Sequence, residues 1–179
     1  MAAISNLTDP FARTGLTLLR GTGIRLGELL DLELDCVWDS ASHGSWLKVP
    51  LGKLATERAV PLDELTLAAL DQWMTRRGPQ RALPHPRLSR PADFLFTERG
   101  RRLTAFRLRR GLDDAAQAAG LRGRGGQSLH PTPHQLRHTY ATSLKMSRIA
   151  FDASFGSSRE HELPAAQAEA MLVHARGAA

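Results

Sequence analysis

The chain has 179 residues, of which 42% are hydrophobic and 23% charged, and its formal net charge is +6. These values are typical of one soluble globular domain with a real hydrophobic core. No segment approaches the roughly 20 apolar residues that a membrane-spanning helix needs, which excludes a transmembrane helical protein. The only cysteine, Cys36, excludes an internal disulfide and a cysteine-based metal cluster.

The charge and the amino-terminal segment suggest a partner and a location. A positive net charge favours a polyanionic partner, nucleic acid before membrane. The first residues lack a basic start followed by an apolar run, which is the pattern of a secretory signal. We therefore expect a cytoplasmic protein, with nucleic acid as the first candidate partner.

Two helices are predicted in the first part of the chain, one over 10–19 and one over 25–34. Gly21 and Gly23 separate them. The second helix has apolar residues at three- and four-residue spacing, namely Leu26, Leu29, Leu30 and Leu34. The glycines partly match a dinucleotide fingerprint, but the third is one residue late and no acidic residue follows a second strand. No nucleotide cofactor is expected.

Short strands are predicted over 44–62, because Trp46 and Val49 alternate with polar neighbours. A helix follows, beginning at Asp63 or Glu64 and ending near Arg77. The proline-rich segment 78–91 is predicted to be a loop, and 93–97 a short strand.

An arginine-rich segment, 99–110, is predicted to form a helix with its apolar residues on one face. A solvated surface and a contact with phosphate groups are both open for its arginines. The candidates for DNA contact in this segment are Arg101, Arg102 and Arg107.

A further helix is predicted to begin near His134, with Thr132 as its N-cap, because Pro133 disfavours helical geometry in the residue before it. His134 and Arg137 lie one turn apart on one face of this helix. Leu136 and Tyr140 fall on a different stripe, suited to a core. An imidazole and a guanidinium near a helix start suit a phosphate group, and a solvated surface is the alternative.

Three histidines, His130, His134 and His138, recur at four-residue spacing and raise the question of a metal. Pro131 places His130 outside the helix, and the sequence offers no nearby carboxylate or cysteine to complete a site. We therefore expect no metal.

Three motifs in order carry a resemblance to a known family. They are TGIRLGELLDL over 22–32, VPLGKLATERAVPL over 49–62 and HQLRHTYAT over 134–142. Together they resemble the catalytic domain of the tyrosine recombinases, the phage integrase family, over about 16–144. The resemblance implies an α+β fold that is mostly helical with a small antiparallel sheet. It also implies double-stranded DNA as a partner, other recombinase protomers as a further expectation, and no cofactor.

The resemblance also implies a catalytic role for several residues. Arg25 and Arg137 would bind the scissile phosphate, and His134 would orient this phosphate or accept a proton near it. Lys53 would protonate the departing 5′-hydroxyl, and Arg58 would contact the DNA backbone. One further residue, Glu28, is either the family's buried acidic support or an ordinary surface glutamate.

The resemblance stops after residue 144. The expected Leu-Gly-His box is missing, and the sole tyrosine, Tyr140, lies on the wrong segment to be the nucleophile. We expect 1–144 to be a partial catalytic domain and 145–179 a divergent tail with helical character, as in a fragment. The hypotheses are an incomplete recombinase core that does not cleave DNA by itself, a non-catalytic DNA-binding module, and a basic domain without a nucleic-acid role.

Overall fold

The computed structural model describes residues 2–40, 44–50 and 58–142. Lys53 and the predicted tail over 145–179 therefore lie outside the described residues. The helices are α1 (Ala2–Ser5), α2 (Pro10–Thr22), α3 (Leu26–Leu30), α4 (Glu64–Arg77), α5 (Ala105–Ala118) and α6 over 133–142. The strands are β1 (Val37–Ser40), β2 (Gly44–Val49), β3 (Arg58–Pro61), β4 (Leu83–Pro84), β5 (Pro91–Ala92), β6 (Thr97–Glu98) and β7 (Arg101–Arg102).

The expected α+β class is confirmed. β1, β2 and β3 form one antiparallel sheet in chain order, and two-stranded pairs join β4 to β5 and β6 to β7. The alternation of apolar residues in β2 is explained by burial, since Leu47 and Val49 face the core and Leu47 is paired with Val60 of β3. No helix in the described ranges is long and apolar enough to cross a membrane.

Helix α2 is the centre of the hydrophobic core. It begins after Asp9, whose carboxylate accepts a hydrogen bond from the Phe11 backbone N–H at 3.0 Å, and Pro10 occupies its first turn. Its buried residues pack against α4 and α5. The ring of Phe11 lies 5.1 Å from that of Phe96 and 6.0 Å from that of Trp73. The helix ends at Gly23, whose φ of 61° is the left-handed geometry that glycine adopts without strain.

The predicted helix over 25–34 is shorter than expected. α3 ends at Leu30, because the backbone groups that follow bond to a different segment. The Leu34 N–H donates to the Asp93 carbonyl at 2.9 Å, and the Leu95 N–H donates to the Leu32 carbonyl at 2.7 Å. The prediction of a strand over 93–97 was wrong: Phe94 forms only an isolated bridge with Glu33, and Thr97 is the one residue of this range in a strand, β6.

The arginine-rich segment also differs from its prediction. Arg99 and Gly100 have φ values of 52° and 72°, so the chain turns there and β6 pairs with β7. α5 therefore begins only at Ala105. A helix over 99–110 was wrong for its first part, because two consecutive left-handed residues cannot continue a right-handed helix.

We predict that Gly111→Ala lowers the stability of the protein by about 1–3 kcal/mol. A Cβ at Gly111 of α5 would lie 2.4 Å from the Cβ of Ala12 on α2, and an alanine has no rotamer with which to move away. Urea denaturation measures the change. Gly27→Ala is the matched control, because nothing lies within 4 Å of its added Cβ and the change should stabilise α3 by about 0.5–1 kcal/mol. An unchanged stability of Gly111→Ala would contradict this packing of α2 on α5.

Candidate functional site

Helix α6 has a well-defined start. The Thr132 N–H donates to Gln135 Oε1 at 2.6 Å, and the Gln135 N–H is 3.4 Å from Thr132 Oγ1. These reciprocal contacts form a capping box, and Pro133 occupies the first helical position, where its missing N–H is harmless. The prediction of Thr132 as the N-cap is confirmed, although the helix begins one residue earlier than expected.

The start of α3 depends on a buried carboxylate. Arg25 is its N-cap residue, and the Arg25 backbone N–H donates to Glu28 Oε2 at 2.7 Å. Arg25 Nη1 donates to Glu28 Oε1 at 3.0 Å, while 45% of the Arg25 side chain stays exposed. The Glu28 side chain is only 3% exposed. Glu28 is therefore a buried acidic residue and not an ordinary surface glutamate.

A second arginine reaches the same carboxylate from the sheet. Arg58, the first residue of β3, donates from Nη1 to Glu28 Oε1 at 3.0 Å and from Nη2 to Glu28 Oε2 at 2.7 Å. This two-pronged geometry is the strongest form of an arginine–carboxylate contact. Burial would raise the pKa of Glu28, but the hydrogen bonds from Arg58 and Arg25 outweigh it and lower the pKa from 4.5 to about 2.

Arg137 on α6 lies beside this cluster with an unmet hydrogen bond. Its Nη1 atom is buried and has no partner among the described residues. Burial lowers the pKa of Arg137, the charges of Arg25 and Arg58 lower it further, and Glu28 acts in the opposite direction. Three positive side chains therefore face one negative side chain, which leaves an excess of two positive charges.

Arg25 and Arg137 border a cleft of about 600 Å³ between α3, α5 and the start of α6. Its lining includes Arg25, His134 and Arg137, so the structure brings together three of the four residues predicted to be catalytic. The fourth, Lys53, lies outside the described residues. His134 Nε2 lies 2.8 Å from His138 Nε2, so the two imidazoles share a hydrogen bond at the edge of the cleft.

Three lining residues, Arg109, Asp113 and His130, were not predicted as parts of a site. His130 Nδ1 lies 3.1 Å from Asp113 Oδ1. The expectation that His130 has no carboxylate nearby was wrong, because the fold brings the segment before α6 back onto α5. No sequence pattern could reveal this pair, which depends on a tertiary contact. Among the described residues, no group of three or more metal-ligating side chains converges.

The arginines predicted to contact DNA occupy different environments. Arg58 is only 12% exposed and is held by Glu28. Arg102 pairs with Asp31 and also donates to the Leu30 carbonyl at 2.7 Å.

The other two of these arginines lie on β7 and α5. Arg107 holds both carboxylate oxygens of Asp9, at 2.9 and 2.6 Å. Arg101 is exposed. Contact with DNA stays a prediction for all four.

Tyr140 is packed into the protein. The ring of Tyr140 lies so close to Gly23 that a Cβ at Gly23 would be 2.2 Å from its Cδ1. Burial raises the pKa of Tyr140, and the charge of Asp63 raises it further. Tyr140 does not line the cleft.

The model of the phage integrase family matches residues 2–153, which is most of the chain. The chain belongs to this family. It is 36% identical over 146 residues to the tyrosine recombinase XerC of Corynebacterium efficiens, covering 80% of this chain and 41% of that protein. A crystal structure of XerA recombinase is similar with a TM-score of 0.61 at 25% identity, covering 97% of this chain and 60% of that one. The XerH site-specific recombinase bound to difH substrate has the same fold, with a TM-score of 0.62 at 21% identity over 88% of this chain and 44% of that one.

The predicted resemblance is thus confirmed at the level of the family. The chain spans about two-fifths of the length of the curated relatives it matches, since it covers 41% of the C. efficiens protein. The activities of those longer proteins are therefore proposals for this chain.

We predict that Glu28 makes the free energy of unfolding depend on pH in the acidic range. Its folded pKa of about 2 is below the ordinary 4.5, so the stabilisation is complete above pH 4.5 and is lost as the pH falls towards 2. The loss is on the order of 3 kcal/mol. Chemical denaturation across this range should show wild type and Glu28→Gln differing strongly near pH 6 and converging near pH 2. Glu33→Gln, which removes a half-buried carboxylate paired with Arg90, serves as the comparison: the hydrogen bond from Arg90 also lowers the pKa of Glu33, so its effect should have the same direction but be smaller. A difference that does not vary with pH would contradict the assignment.

Proposed function

We propose that this chain acts in site-specific DNA recombination and forms the phosphate-binding part of an active site that breaks and rejoins DNA strands. The observation that carries the proposal is the buried, unpartnered Nη1 of Arg137 in a cleft with excess positive charge. A buried donor without an acceptor costs free energy, and a phosphate oxygen would satisfy it. Family membership and the relatives' activity as tyrosine recombinases support the same conclusion.

The side chains divide the chemistry among them. In an intact relative, a tyrosine hydroxyl attacks the phosphorus, a 3′-phosphotyrosine bond forms, and the bond to the 5′-oxygen breaks. Arg25 and Arg137 would neutralise the charge that grows on the nonbridging oxygens, an effect of about 3–4 kcal/mol for one positioned donor. His134 would orient the phosphate or accept a proton.

The leaving oxygen needs a proton, which Lys53 would supply according to the family resemblance. A positioned general acid typically contributes roughly 10²–10⁴-fold. Because a phosphodiester is replaced by a phosphotyrosine ester, the reverse attack by a 5′-hydroxyl rejoins the strand without a cofactor. Double-stranded DNA is the proposed substrate, and other recombinase protomers are proposed partners.

A second function, binding DNA without cleaving it, is favoured by the position of Tyr140. The sole tyrosine of the sequence packs against Gly23 and does not line the cleft, and burial raises its pKa, which disfavours the phenolate that would attack phosphorus. The incomplete recombinase and the binding module share the phosphate site and differ in the covalent step.

We predict that Arg25→Ala combined with Arg137→Ala weakens binding to a labelled DNA duplex and flattens its dependence on salt. Each lost phosphate contact should reduce the slope of log K against log salt by about 0.9. Fluorescence anisotropy over a salt series measures both quantities, and thermal unfolding checks the fold. Arg90→Ala, which removes an exposed arginine that does not line the cleft, is the control. If the affinity and slope of the double variant match the wild type, the proposed phosphate site is wrong.

We predict that the chain alone forms no covalent adduct with a nicked suicide DNA substrate, because it lacks a tyrosine placed at the phosphate. Denaturing gel electrophoresis detects the adduct, with a XerC recombinase as the positive control. Retained, salt-sensitive binding without an adduct would support the binding module as the function of this chain by itself. An adduct that disappears in Tyr140→Phe would overturn the assignment of Tyr140 as a packing residue.

A further inference from the structure

We propose that Arg58 is a positioning residue that saturates the Glu28 carboxylate and thereby keeps Arg137 available for a DNA phosphate. The inference rests on the proposed function, since it assumes that Arg137 binds phosphate. It gives Arg58 a role inside the protein in place of the DNA-backbone contact implied by the family resemblance.

The hydrogen-bond acceptor sites of the Glu28 carboxylate are fully occupied. A carboxylate offers about four lone-pair sites. Glu28 accepts from the Arg25 backbone N–H, from Arg25 Nη1 and from both terminal nitrogens of Arg58. Its capacity is therefore filled by two arginines, and two of the four sites are filled by Arg58 alone. The nearby Arg137 Nη1, which is buried and unpartnered, has no site left on this carboxylate.

Glu28 and a phosphate would compete for Arg137. The charge of Glu28 favours the protonated form of Arg137, and the charge of Arg58 opposes it. Without Arg58, two acceptor sites would open beside Arg137 and the electrostatic repulsion would fall. The Arg137 guanidinium would then pair with Glu28, and a phosphate would have to displace that carboxylate in order to bind.

Arg58 is much less exposed than Arg25. The Arg58 side chain is 12% exposed, against 45% for Arg25. To contact the DNA backbone, Arg58 would have to leave Glu28, and removing one partner of a buried pair is strongly unfavourable. Arg25 can touch both Glu28 and a ligand in the cleft, whereas Arg58 is committed to the carboxylate.

The test compares Arg58→Met with Arg58→Met/Glu28→Gln, using anisotropy with a labelled DNA duplex over a salt series. Arg58→Met should weaken binding about tenfold, the effect of losing roughly one charge-assisted hydrogen bond. Adding Glu28→Gln removes the competing carboxylate and should restore the affinity and the salt slope to wild-type values. This double variant has the same net charge as the wild type, so a general charge effect does not enter the comparison.

A second cycle uses Arg137→Ala. If Arg58 acts through Arg137, Arg58→Met should cause no further loss of affinity in an Arg137→Ala background. A direct contact between Arg58 and DNA would instead give additive losses, and Glu28→Gln would not restore binding. Either of those results overturns the proposal. An Arg137→Ala variant that binds as the wild type does would instead overturn the proposed phosphate site itself.

The controls are built on Arg90 and Glu33, a two-pronged pair like Arg58 and Glu28, with contacts of 2.9 and 2.6 Å outside the cleft. Arg90→Met and Arg90→Met/Glu33→Gln make the same charge changes and should leave the slope unchanged. If Arg58→Met alone does not fold, the double variant still decides, because it removes the buried carboxylate together with the arginine that pairs with it. Wild-type affinity that is lost on adding Arg137→Ala supports the proposal, and a weakened double variant with a flatter slope contradicts it.

Discussion

The site depends on one buried carboxylate. Transferring Glu28 out of water would cost several kcal/mol if it were unpaired, so the fold has to supply donors from more than one element. It does so from the first turn of α3 and from the first residue of β3, which are far apart in sequence. The ion pair therefore fixes the helix that carries Arg25 against the strand that follows the predicted hairpin lysine, Lys53.

The same cluster has more positive charge than its own stability requires. One arginine would neutralise Glu28, yet three arginines surround it: the charges of Arg25 and Arg58 both act on Arg137. Desolvating a third guanidinium beside two others raises the free energy of the folded protein unless an anion is present. This cost has a physical explanation if the cleft binds a phosphate, because the ligand then removes both the repulsion and the unmet hydrogen bond of Arg137.

The sequence predicts which residues belong to the site better than it predicts the contacts between them. The spacing of His134 and Arg137 places them on one helix face, and the ordered motifs indicate that Arg25 belongs with them. The pairing of Arg58 with Glu28 could not be read from the chain, because it requires β3 to lie in its observed register with β2. The early end of α3 has a similar cause, since the backbone groups of Leu32 and Leu34 are taken by residues near 93–95. Local helical periodicity carries no information about such long-range bonds.

The contact between Gly23 and Tyr140 explains how two distant motifs meet at one cleft. Gly23 ends α2 in a left-handed conformation, and its lack of a side chain lets the Tyr140 ring lie against the backbone. Arg25 follows Gly23 by two residues, and Arg137 precedes Tyr140 by about one helical turn, so this packing contact brings both arginines to the same cleft. Tyr140 thus contributes to the proposed phosphate site through its packing against Gly23, and the same burial raises the pKa of its hydroxyl.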